Sequence, residues 1–137
     1  MTTKIDRVVH ANQLIQAIAA HGRRFFYCKS KDRYARMEID ARGRVWFVDD
    51  YSEKRVFTHQ ASYRRWAGFT HGGTLRALVE DMRDYIMKGT PVPRWKIAIR
   101  QLGKPEQDVW GYGFEAAEAV RAAAFALPLM EPAKEPA

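Results

Sequence analysis

Apolar and polar positions follow three different rhythms along this chain. The clearest lies just past the middle, where Leu75, Leu78, Val79, Met82, Tyr85 and Ile86 recur at three- and four-residue spacing. That spacing lines one stripe of a 3.6-residue helix and predicts a helix over 74–88. The other face carries Arg76 with Glu80 and Asp84 with Lys88, pairs of opposite sign at i,i+4. Gly89 and then Pro91 end it. A first helix is expected over 11–21, with Asn12 as its cap, Leu14, Ile15 and Ile18 on its apolar stripe and Gly22 as its stop. An alanine-rich run over 114–127, with Val120, Ala124 and Leu127 on one side, predicts a third.

Between the first two helices the rhythm changes to strands. RRFFYCKS (23–30) is dense in aromatic β-formers. In YARMEID (34–40), Ala35, Met37 and Ile39 alternate with Tyr34, Arg36 and Glu38, the period of a half-buried strand. Asp40-Ala41-Arg42-Gly43 reads as a type I turn with glycine at the left-handed position. Such a turn sets Ile39 opposite Val45 and Met37 opposite Phe47, and gathers Tyr34, Arg36, Glu38, Trp46 and Val48 on the other face. A polar loop over 49–53 leads to a fourth strand at 54–60, and the alternation of Trp95, Ile97 and Ile99 adds a fifth at an edge. The expected fold class is α+β: an antiparallel meander of four to five strands with an N-terminal helix, a covering helix (about 74–88) and a C-terminal helix. Residues 1–130 are expected to form one domain and 131–137, polar and proline-punctuated, a disordered tail.

Charge narrows the picture. The net charge is +7, and residues 23–65 hold twelve Lys/Arg against six Asp/Glu, whereas 66–90 balance at three of each and 114–137 carry two basic against four acidic groups. The positive field therefore belongs to the strand region, where it attracts polyanions as well as serving solubility. Arg24, Lys29, Lys31, Arg33, Arg36, Arg44, Lys54, Arg55, Arg64 and Arg65 are interleaved there with Tyr34 and Trp46. Nucleic-acid binders use this combination, because cations neutralise phosphates while rings stack on bases. The alternative is that Trp46 and its neighbours are half-buried and the arginines are scattered solvation. A second candidate is the turn His71-Gly72-Gly73-Thr74, where exposed backbone N–H groups at a helix start suit an anion; an ordinary tight turn with Thr74 as cap is the plain alternative. The glycines match neither a P-loop nor a dinucleotide fingerprint.

Catalysis finds little footing. His10, His21, His59 and His71 stand far apart without metal-ligand spacing, so neither a metal nor a cofactor is expected. His59, Tyr63, Arg64 and Arg65 are the residue types of a small basic ribonuclease, but no base, nucleophile and orienting group stand together. Asp49-Asp50 reads as a turn rather than a carboxylate pair. Cys28 is the only cysteine, no apolar run is long enough to span a membrane, and MTTKIDRVVHANQ lacks the apolar core of a signal peptide. A cytoplasmic location is expected.

The order helix, strands, helix is similar to that of double-stranded-RNA-binding domains, and its strands-then-helix part looks like plant-type AP2 DNA-binding domains. The first family starts its last helix with lysines; here the place reads Gly73-Thr74-Leu75-Arg76-Ala77. The AP2 strand signature finds no match here. HGRRFFYCKS, GRVWFVDDYS and WAGFTHGGTLRALVEDMRDYI, within residues 21–89, resemble small accessory proteins of proteobacterial phages and mobile elements. That resemblance implies either nucleic-acid binding or action on a host factor. The expectation is a non-enzymatic accessory module whose partner is nucleic acid, DNA ahead of RNA, or alternatively an acidic host protein.

Overall fold

In the computed structural model, which describes residues 2–22, 25–59, 66–71, 73–97 and 113–132, helix α1 runs over Lys4–Gly22. It starts well before residue 11 because Thr3 and Asp6 make a reciprocal cap. The Thr3 N–H donates to Asp6 Oδ2 and the Asp6 N–H to Thr3 Oγ1, both at 3.0 Å. Asn12, expected as the cap, lies mid-helix. Ala11, Leu14, Ile15, Ile18 and Ala19 form the buried stripe.

Two short antiparallel sheets follow. β1 (Tyr27–Cys28) and β2 (Arg33–Tyr34) pair as a hairpin around a 3-10 turn at Lys29–Lys31. β3 (Arg36–Ile39), β4 (Val45–Val48) and β5 (Arg55–Phe57) form the second sheet in that order. The register is the one the Asp40–Gly43 turn requires: Met37 faces Phe47, Ile39 faces Val45, and Gly43 takes φ +74°. The expected single meander is interrupted twice. Phe26, fully buried, adopts a left-handed φ of +62°, which cuts the first strand short. Ala35 separates β2 from β3, and its N–H donates to the Phe26 carbonyl at 2.8 Å. Tyr34 therefore belongs to the hairpin and not to the face that carries Trp46.

Helix α2 (Gly73–Lys88) ends where expected, with Gly89 at φ +77° and its N–H on the Tyr85 carbonyl at 2.8 Å. The apolar face of the second sheet is covered by α1 and α2 together, α1 lying on β3 and α2 on β4. Met37, Val45, Phe47 and Val56 share one core with Leu78 and Met82 from α2, and Ile39 packs at its margin. α1 is thus the central element, touching both other helices. α3 (Gly113–Phe125) packs on it through a face that buries Val120 and Ala124. The expected fifth strand is not formed at its start: Arg94–Lys96 is a 3-10 turn leading to buried Ile97, and residues 98–112 lie outside the described ones. Val92 instead pairs with Met130 in a short parallel bridge, and the Glu131 N–H donates to the Val92 carbonyl at 2.8 Å.

Among the described residues no helix is long and apolar enough to cross a membrane.

Candidate functional site

The two sheets present two different basic-aromatic surfaces. On the outer face of the second sheet, alternation brings Arg36, Glu38, Trp46, Arg55 and Phe57 together. Glu38 accepts from Arg36 Nε at 2.9 Å and lies 3.4 Å from Arg55 Nε. The Arg55 guanidinium sits 4.4 Å from the centre of the Trp46 ring, and Phe57 packs beside that ring at 5.0 Å. Trp46 is half-buried, and its Nε1–H donates to Asp40 Oδ2 at 3.0 Å. Arg44 also pairs with Asp40, at 2.9 Å. These contacts, the Trp46 N–H foremost and then the Arg44 backbone N–H, hold the Asp40 carboxyl well below the usual carboxylate range. The ring is thus held among protein groups.

The hairpin carries the other surface. Tyr27 and Tyr34 are cross-strand partners with ring centres 4.8 Å apart. Tyr34 is 42% exposed and Tyr51, from the loop after β4, is 58% exposed. Lys31 donates to the Tyr51 carbonyl at 2.7 Å and lies 5.0 Å from its ring centre. Arg33 and Lys31 both approach Glu53, while Lys29 and Lys54 make no ion pair among the described residues. Tyr27 donates its hydroxyl to Asp32 at 2.7 Å, a bond that pushes the phenol pKa up. Arg24, Arg64 and Arg65 lie outside the described residues, as does Tyr63.

Between the hairpin and the loop opens a cleft of about 950 Å³ whose walls include Tyr27, Tyr34 and Tyr51 and whose edge includes Lys29 and Ser30. Its deeper wall carries Asp50 and His71. His71 Nε2 lies 2.6 Å from Asp50 Oδ1, with both side chains almost wholly buried. Phe26 and Phe69 pack their rings against the imidazole and fix its plane. The turn expected as an anion site is thereby tied to a carboxylate at His71; Gly72 lies outside the described residues, and Gly73 and Thr74 open α2. Cys28 also borders the cleft, and the Ser30 hydroxyl at 3.3 Å holds its thiol below the ordinary value.

Asp49, Asp50 and His71 bring ligand-type atoms within 4.8 Å of one another, a grouping that an adjacent pair and a histidine 21 residues further on do not announce. Asp49 is already engaged through both oxygens. Its Oδ2 accepts from the backbone N–H groups of Tyr51 and Ser52 and from the Thr70 hydroxyl, and its Oδ1 accepts from the Thr70 N–H. Asp49 thus builds the turn, as expected, and also pins it to the segment before α2. Asp50 and His71 hold each other directly, so each member of the trio already has protein partners. The other described histidines near basic groups serve structure: His59 Nε2 accepts from the Val45 N–H at 3.1 Å, and His10 bonds the Tyr85 hydroxyl at 2.6 Å. Sequence reasoning missed Tyr27, Asp50 and Tyr51. Tyr51 alone carried a signal, since a turn does not require an aromatic ring at its exposed tip.

The fold and the cleft define the class: a small α+β protein whose paired short sheets are wrapped by helices, with a tyrosine-walled cleft where the sheets meet the loop. The chain belongs to the YoqU family, which it matches over residues 1–136. It is 32% identical over 118 residues to the SPbeta prophage-derived uncharacterized protein YoqU of Bacillus subtilis (strain 168), covering 86% of this chain and 78% of that protein. A prophage relative agrees with the resemblance to phage accessory proteins, but it comes from a Bacillus, which corrects the proteobacterial placement. No solved structure matches the chain.

Proposed function

We propose that the protein is a phage accessory protein that binds nucleic acid at the hairpin and the Tyr51 loop, acting by binding and not by catalysis. The observation that carries this reading is the coincidence of exposed rings and cations. Tyr34 and Tyr51 are the large exposed aromatics of the strand region, and Lys29, Lys31 and Arg33 lie on the same hairpin. Such rings offer faces to bases while the cations meet phosphates. The prophage origin of the Bacillus relative supports the accessory role. The use of His10 and His59 in structural hydrogen bonds favours binding over chemistry.

The test is fluorescence anisotropy with labelled oligonucleotides across a salt series. Affinity for single strands is expected to fall by roughly 0.7 logarithmic units per phosphate contact per decade of salt. Replacing Lys29, Lys31 and Arg33 together by alanine is expected to flatten that slope by about two, three contacts' worth. Lys88→Ala, on α2, is the control and leaves the slope unchanged. No complex with DNA or RNA at low salt would overturn the reading and put an acidic protein partner in its place. Binding that survives molar salt unchanged would overturn the electrostatic mechanism.

A further inference from the structure

Resting on the nucleic-acid reading, we infer that the cleft between the hairpin and the Tyr51 loop receives one unpaired nucleobase that carries an exocyclic amine. Two independent features point there. The first is the wall: Tyr27, Tyr34 and Tyr51 supply ring faces around an open space of about 950 Å³, within the size range of small-molecule pockets. The second is Asp50. Its side chain is only 4% exposed, and Oδ1 is held by His71. Its second oxygen, Oδ2, accepts no hydrogen bond among the described residues, although the residue lines the cleft. An oxygen of the lining that no described group occupies is an acceptor left for a ligand N–H.

The chemistry of the ligand follows from what the wall lacks. An acceptor oxygen deep in the cleft selects a donor, and cytosine, adenine and guanine each carry an amino group on an edge. Thymine and uracil present a ring N–H flanked by two carbonyl oxygens, which would face the negative charge of Asp50. The contact of His71 Nε2 with Oδ1 serves to aim the carboxyl group. Lys29 and Ser30 at the edge of the cleft suit the phosphate that follows the base. A base stacked and paired within a duplex does not offer its faces and amino edge to the cleft, so single strands are preferred and duplex binding uses the outer cations alone.

The experiment compares twelve-residue oligo(dC), oligo(dA) and oligo(dT) with a duplex of the same length, by anisotropy at fixed low salt, on the full chain. Oligo(dC) and oligo(dA) are expected to bind about tenfold tighter than oligo(dT) and than the duplex. Tyr34→Ala, accepted only if its circular dichroism matches the wild type, is expected to weaken oligo(dC) about tenfold and leave the duplex unchanged. Asp50→Asn, accepted only if its circular dichroism matches the wild type, is expected to erase the preference for oligo(dC) over oligo(dT). CMP competing with oligo(dC) at comparable affinity would support the pocket and assign it to a free nucleotide rather than a strand. Equal binding of strand and duplex, unmoved by Tyr34→Ala, overturns the pocket while the nucleic-acid reading stands. Equal oligo(dC) and oligo(dT) affinities overturn the role of Asp50. No binding to any of the four removes both.

Discussion

Phe47 illustrates what a single residue can do in this core. It is fully buried, with the Phe26 and Phe69 rings at 5.8 and 5.2 Å, and it faces Met37 across the hairpin. Phe47→Ala is expected to cost about 3–5 kcal/mol through lost transfer energy and a cavity. A denaturant titration checks this, and a loss under about 1 kcal/mol would contradict the packing. Asp40 gives a pH dependence. Its carboxyl is depressed in the fold, so its contribution is complete above the ordinary value near 4 and fades as pH falls through the lower, folded value. The gap in Tm between wild type and Asp40→Asn should therefore narrow from about pH 5 toward about pH 2. His59 acts in the same sense at higher pH, since burial first and Arg83 second hold its imidazole below the ordinary value. Its acceptor bond from Val45 is available only while the ring is neutral.

At the scale of elements, the chain announced those whose signal is local. The Asp40–Gly43 turn and the stripe of α2 could be read directly because turn chemistry and helical period act over a few neighbouring residues. The first half of α1 escaped notice because Ile5 and Val9 are exposed, so no apolar stripe marks it; Thr3 and Asp6 were its true signal. The break at Ala35 was hidden for another reason. Alternation runs through it unchanged, while the left-handed Phe26 that enforces it depends on packing far along the chain. The Asp50–His71 pair spans 21 residues with no motif between, and only the Asp49 clamp on Thr70 brings the two segments together. At the C-terminus the Val92 bridge moves the useful cut point. Ending the chain after Pro132 should leave Tm unchanged, whereas ending it after Leu127 removes buried Leu129 and Met130 and should lower Tm clearly. Thermal melts of the two truncations decide it.

Across the whole molecule the positive surplus of residues 23–65 is divided by the fold. The arginines of the second sheet are drawn onto Glu38 and Asp40, whereas the hairpin joins its cations to exposed rings and an open cleft. Composition showed that a polyanion surface was affordable; only the geometry separates a solvated face from one that can grip. The neighbouring sheet is tied to α1 by Asn12, whose side-chain amide donates to the Met37 carbonyl at 3.1 Å and accepts from the Met37 N–H at 2.7 Å. β3 lies at one side of its sheet, and Asn12 occupies the bonding positions that another strand would take. Asn12 is made 25 residues before Met37 on a growing chain. The seal therefore emerges from the ribosome ahead of the edge it closes, so a nascent chain need never offer that edge to its neighbours on a crowded polysome.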